Sequence, residues 1–68
     1  MSVIFSDVPE RQREVWVLVR KGLSNPAIAQ TMGISINTVR MHLRALYLRT
    51  GAPNRVSLAT RVMDTRGH

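Results

Sequence analysis

The sequence predicts an all-α domain of four short helices. Apolar residues recur at spacings of three and four, as in Val15, Leu18 and Val19 and again in Ile36, Val39, Leu43 and Leu46. Helix-starting and helix-stopping residues punctuate the chain at Gly22, Asn25-Pro26, Gly33-Ile34-Ser35 and Gly51-Ala52-Pro53. No stretch alternates with the period of two that a half-buried strand requires, and no repeat or low-complexity tract interrupts the pattern.

Residues 1–7 read as a short N-terminal arm, with Val3, Ile4 and Phe5 available to tuck onto the domain. The first helix is expected to start near Asp7 or Val8. Asp7 and Glu10 have capping-box spacing, and Pro9 suits a first turn, where its missing N–H has no helical partner. Val15, Leu18 and Val19 form its apolar stripe, and Trp16 reads as a packing residue. Gly22 ends this helix just after Arg20 and Lys21, whose charge favours the negative end of the helix dipole. In the second helix Asn25 is the expected N-cap and Pro26 the first helical residue, with Gly33 stopping the run after Met32. Ile34 should plug the corner that follows. Ser35 caps a third helix that runs to about Arg49, with Tyr47 and His42 read as packed residues. Thr50-Gly51-Ala52-Pro53 is a break. Asn54 caps a last helix carrying Val56, Leu58, Ala59, Val62 and Met63, and residues 64–68 form a frayed tail.

A chain of 68 residues holds one domain with a thin core, so a dimer contact is expected to share in its stability. There is no cysteine to supply a disulfide or a thiolate metal site, and two histidines make no convincing metal site. No metal or other cofactor is expected. No apolar run approaches the roughly 20 residues that span a bilayer, and no secretion signal opens the chain. A cytoplasmic, nucleoid-associated protein with no membrane partner is the expectation.

Charge gives the first functional clue. Ten Lys and Arg oppose four acids, for a net charge of +6. All four acids lie near the ends, at Asp7, Glu10, Glu14 and Asp64, while Arg20, Lys21, Arg40, Arg44, Arg49, Arg55 and Arg61 fall between them. A body with only positive charge attracts a polyanion. Composition alone does not separate DNA from RNA, from anionic lipid, or from a merely solubilising charge.

The segment from Asn25 to about Arg44 narrows the choice. Two helices joined by a short turn containing glycine have the geometry of a helix-turn-helix. Ala27 and Ala29 allow close packing of the second helix on the third, and Ile28 and Met32 supply apolar contact. The third helix then has an inward stripe and an outward polar face, which makes it the expected recognition helix. Arg40 and Arg44 project together from that face, and each guanidinium can bond guanine O6 and N7 at once. Asn37 is placed to read adenine or hold a phosphate, and Met41 to pack on a thymine methyl. Phosphate contacts are expected from the rim: Ser24, Asn25, Ser35 and Thr38 at the helix starts, and Arg49 and Arg55, with Arg20 and Lys21 as further candidates. Ser24, Asn25 and Ser35 are equally suited to plain capping.

No catalytic set can be assembled. There is no cysteine nucleophile, and no paired carboxylates flank a histidine. Gly22-Leu23-Ser24-Asn25 is too poor in glycine to cradle a phosphate. The chain is not expected to be an enzyme.

These residues resemble the DNA-binding domain of the LuxR/NarL/GerE family of bacterial transcription regulators. The resemblance runs from about Val8 to Met63. It is carried by Arg11-Gln12-Arg13-Glu14-Val15, Gly22-Leu23-Ser24-Asn25, Ile28-Ala29, Gly33-Ile34-Ser35, Thr38-Val39-Arg40, His42-Leu43, Gly51 and Asn54-Arg55. It implies a four-helix domain over residues 8–63 whose third helix enters the major groove, with base-reading positions on Arg40, Met41 and Arg44. It also implies a fourth-helix dimer contact on Val56, Leu58, Ala59 and Val62. Three features depart from the family pattern. Val8-Pro9 replaces the usual Leu-Thr at the start of the first helix, and Ala27 stands where a Glu is common. A receiver or small-molecule sensor domain usually precedes this domain, and 68 residues leave no room for one, so a stand-alone, sensor-less member is expected.

The function expected is sequence-specific regulation of transcription by a homodimer on double-stranded DNA. Two other readings remain at this stage: a sensor-less protein that pairs with a full-length LuxR-type regulator and inhibits it, and a nonspecific nucleic-acid binder, whose affinity would fall steeply with salt without sequence preference.

Overall fold

The computed structural model describes residues 5–61. A 3-10 turn over Phe5–Asp7 leads into four α-helices: α1 (Glu10–Arg20), α2 (Asn25–Met32), α3 (Ile36–Thr50) and α4 (Arg55–Thr60). No strand occurs among the described residues, and no helix there is long and apolar enough to cross a membrane. Val3 and Ile4, expected in an arm, Val62 and Met63, expected in the last helix, and residues 64–68, expected as a frayed tail, lie outside the described residues.

Helix α1 begins later than expected. Pro9 disfavours helical backbone at Val8, so the helix cannot start at Asp7 or Val8. Pro9 itself is extended (φ −52°, ψ 145°) and its carbonyl accepts the first helical bond from Arg13 N–H at 2.9 Å. No side chain caps this helix, so the Asp7–Glu10 capping box does not form. Instead Val8 N–H closes the 3-10 turn on Phe5 C=O at 3.0 Å. Phe5 belongs to the fold: its ring lies 5.9 Å from that of Trp16, and the Arg13 guanidinium sits 5.7 Å from its centroid.

The N-terminus of α2 is also shifted by one residue. Ser24, not Asn25, is the cap: its Oγ accepts from Ala27 N–H at 3.3 Å, and its C=O accepts from Ile28 N–H at 2.8 Å. Asn25 is the first helical residue, and Pro26, which lacks the N–H, fits beside it within the first turn. Asn54 caps α4 as expected, accepting from Ser57 N–H at 2.8 Å.

Helix α3 packs against both α1 and α2, while α4 packs on α1 and α3. The core contains Val15, Trp16 and Val19 from α1, Ile28 and Ala29 from α2, Val39, Leu43 and Leu46 from α3, and Leu58 from α4. Leu18 and Tyr47 pack against it from its edge. Ile36, assigned to the apolar stripe, is 39% exposed at the first turn of α3, and Thr50 is buried in its place at the other end. Thr50 can be buried because its hydroxyl is satisfied, donating to Leu46 C=O at 2.7 Å and accepting from Ala52 N–H at 3.2 Å. The indole of Trp16 is completely buried, and its Nε1 donates to Leu58 C=O at 3.0 Å. That bond fastens α4 to α1 across 42 residues of chain.

Candidate nucleic-acid interface

The turn between α2 and α3 sets the presentation of α3. Gly33 follows the last helical residue of α2 in left-handed backbone (φ 68°, ψ 36°), a conformation costing other residues roughly 1–2 kcal/mol. This lets Ile34 N–H reach back to Ala29 C=O at 3.0 Å and Gly33 N–H to Gln30 C=O at 3.3 Å. Ile34 packs against the core, filling the corner as expected. Ser35 then starts α3, its Oγ accepting from Thr38 N–H at 3.0 Å and bonding Thr38 Oγ1 at 2.9 Å.

With α3 seated by Val39, Leu43 and Leu46, the helical period decides what faces out. At about 100° per residue, Arg40, Arg44, Asn37, Leu48 and Met41 fall within one sector about 100° wide, away from the buried sector. All five are exposed, Met41 at 71% and Leu48 at 79%. Arg40 and Arg44 are one turn apart, about 6 Å along the axis. Neither guanidinium has a hydrogen-bond or ion-pair partner among the described residues, where the one ion pair is Arg11–Glu14 at 3.1 Å on α1. Arginine stays charged at any physiological pH, so α3 presents two fixed cations with their donor forks unused. The arrangement suits a ligand carrying anions and paired acceptors.

Residues 8–62 match the GerE family model, described as bacterial regulatory proteins, luxR family. The chain belongs to the luxR family. Relatives of this luxR-family chain include the monoamine regulon transcriptional regulator of Klebsiella aerogenes, 41% identical over 51 residues. That stretch is 75% of this chain and 22% of the relative. The nitrate/nitrite response regulator protein NarP of Escherichia coli is 35% identical over 63 residues, 93% of this chain and 29% of its own length. A putative HTH-type transcriptional regulator of Mycobacterium tuberculosis, Rv0890c, is 45% identical over 47 residues, covering 69% of this chain and 5% of that protein. The chain thus spans a minor part of each of these relatives, and its fold is that of a helix-turn-helix regulator domain.

The rim candidates of the luxR-family domain divide into two groups. Arg49 and Lys21 are exposed and unpaired among the described residues. Ser24 and Ser35 accept capping N–H bonds; the Ser24 hydroxyl retains its own proton to donate, while Ser35 and Thr38 share one hydroxyl–hydroxyl bond and retain one free proton between them. Arg55 and Asn25 are bonded within the fold. Arg55 is half-buried, and its Nη1 donates to Asn25 Oδ1 at 2.6 Å while Nη2 donates to Leu23 C=O at 2.8 Å. The two side chains are thus bonded to each other, with Arg55 also held by the Leu23 carbonyl. Arg20 is tied down likewise, its Nη1 donating to Ala59 C=O at 3.2 Å and Arg61 C=O at 2.7 Å beyond the end of α4.

The residues expected at a dimer contact are also sorted by the structure. Leu58 is fully buried, because the inner side of α4 docks on α1, so it is a core residue and no surface contact. Ala59 is half-buried against the same core. Val56 is 73% exposed. Helix α4 ends at Thr60, with Arg61 extended (φ −66°, ψ 135°), and Val62 lies outside the described residues.

Leu48, read from its spacing as flanking Arg40 and Arg44, continues the outward face of α3 one turn beyond Arg44. One feature of this surface escaped sequence reasoning. The Arg55–Asn25 bond joins residues 30 apart and has no local signature.

Proposed function

We propose that this luxR-family domain is a sequence-specific, double-stranded-DNA-binding regulator of transcription that lays α3 in the major groove. The observation that carries the reading is the pair of guanidiniums, Arg40 and Arg44, unpaired among the described residues, on the exposed sector of a helix whose opposite side is locked into the core. A major groove admits an α-helix and offers guanine O6 and N7 as paired acceptors. Asn37 and Met41 lie on the same sector and read neighbouring bases, Met41 by apolar contact with a thymine methyl. Ser24, Ser35, Thr38 and Arg49 position the phosphates around that face. The lack of any acid between Glu14 and Asp64 lets this surface approach a polyanion without repulsion.

The working form is a homodimer paired through α4, where Val56 is a large apolar side chain left in water with Ala59 one turn away. A two-fold pair would present two α3 helices to inverted half-sites about one helical turn apart. The relatives' names as transcriptional regulators support the same assignment. Binding-site selection on randomised duplex DNA tests it: the expected product is an inverted repeat with guanines in each half-site. Recovery of no preferred sequence would leave only nonspecific nucleic-acid binding.

A further inference from the structure

We infer that Arg55 is a positioning residue that holds the start of α2 in place for DNA binding, and that it does not itself contact phosphate. The inference rests on the DNA-binding reading above and replaces the rim role that its charge suggests. Leu23 lies in the connection between α1 and α2, so its carbonyl has no helical partner. Arg55 supplies one, with Nη2 at 2.8 Å. The same guanidinium bonds the side chain of Asn25, the first residue of α2, at 2.6 Å through Nη1. One planar fork thus grips two residues that flank the capping Ser24. Its own backbone is fixed at the first position of α4, the helix that Trp16 and Arg20 fasten to α1 and beyond its own end.

The chemistry specifies arginine. Two acceptors, one a backbone carbonyl and one a side-chain amide, are met at once by a rigid planar group with parallel donors. A lysine ammonium is a point charge on a flexible stem and cannot reproduce that fork. No carboxylate takes part, so the contact is a pair of charge-assisted hydrogen bonds and not an ion pair. It ties α4 to the helix-turn-helix, so loosening it shifts Ser24 and the first turn of α2 relative to α3.

Arg55→Lys separates this role from a phosphate contact, because it keeps the charge and loses the fork. The full chain and its Arg55→Lys, Arg55→Ala, Asn25→Ala and double variants are titrated into a labelled mixed-sequence duplex over a range of salt. Folded fractions come from circular dichroism. The account expects Arg55→Lys and Arg55→Ala to lose affinity several-fold and alike, both with the wild-type slope of log K against log salt. Asn25→Ala should weaken binding in the wild type and add little once Arg55 is replaced. The positioning role is overturned if Arg55→Lys binds like the wild type while Arg55→Ala lowers the slope by about 0.9, the signature of one lost phosphate contact. Amide spectra of the free protein decide the contact without DNA. Arg55→Lys should shift the Ser24, Asn25 and Ala27 resonances, and unmoved resonances would overturn the contact. A wild type that fails to bind the duplex would instead sink the DNA-binding reading and leave the spectra to judge Arg55.

Discussion

Replacing Trp16 by phenylalanine removes two things at once. The first is the bond from Nε1 to Leu58 C=O at 3.0 Å. That carbonyl keeps a second, longer partner in Arg61 N–H at 3.3 Å, so the loss falls within the ordinary net value of about 0.5–1.5 kcal/mol and not the full cost of an orphaned acceptor. The second is the volume of the indole's outer ring in a site with no exposure, where the cavity adds about 1–2 kcal/mol, well under the roughly 3–5 kcal/mol of a full truncation to alanine. The sum is about 1.5–3.5 kcal/mol, centred on about 2.5 kcal/mol. At about 0.05–0.15 kcal/mol per residue, a chain of 68 residues has roughly 3–10 kcal/mol to lose. Thermal unfolding followed by circular dichroism should therefore move down by roughly 10–20 °C. A shift under about 4 °C, equivalent to less than about 1 kcal/mol, would refute the argument that this indole fastens α4 to α1.

Gly33→Ala meets open space around its Cβ but forces alanine into φ 68°, and should cost about 1–2 kcal/mol in urea unfolding; an unchanged midpoint would mean that the turn relaxes elsewhere. Arg49→Ala should weaken binding to every duplex similarly and reduce the salt slope by about 0.9, and a change confined to one sequence would remove Arg49 from the rim. Val56→Asp should shift sedimentation from dimer to monomer, and at dilutions where the wild type is itself monomeric it should leave stability within about 0.5 kcal/mol, because the side chain is 73% exposed. A Val56→Asp protein that sediments as a dimer would remove Val56 from the pairing surface.

Much of the fold is local and could be read from the sequence. Ser35 and Asn54 are small polar residues one position before a periodic segment, and each caps the helix expected of it. Gly33 and the inward stripe of Val39, Leu43 and Leu46 are local too, and they suffice to turn Arg40 and Arg44 outward. The errors arise where two local signals compete or where a distant partner decides. Ser24 and Asn25 are both good caps, and the sequence does not show that the Asn25 side chain is taken by Arg55. Pro9 suits a first helical turn but also bars the helix from extending back through Val8, and the second effect wins. Arg49 and Arg55 are chemically identical. One is exposed and the other is half-buried against the start of α2, a distinction that only tertiary packing makes. Helix α4 has six residues, too few turns for periodicity to tell the buried Leu58 from the exposed Val56.

The claim that two guanidiniums on α3 read bases is tested most directly by repeating site selection with Arg40→Ala beside the wild type. The account expects preference to relax at one base pair in each half-site and affinity for the wild-type site to fall by about 1–3 kcal/mol, with binding to unrelated duplex changed far less. An Arg40→Ala protein that selects the same sequence with the same stringency would contradict it.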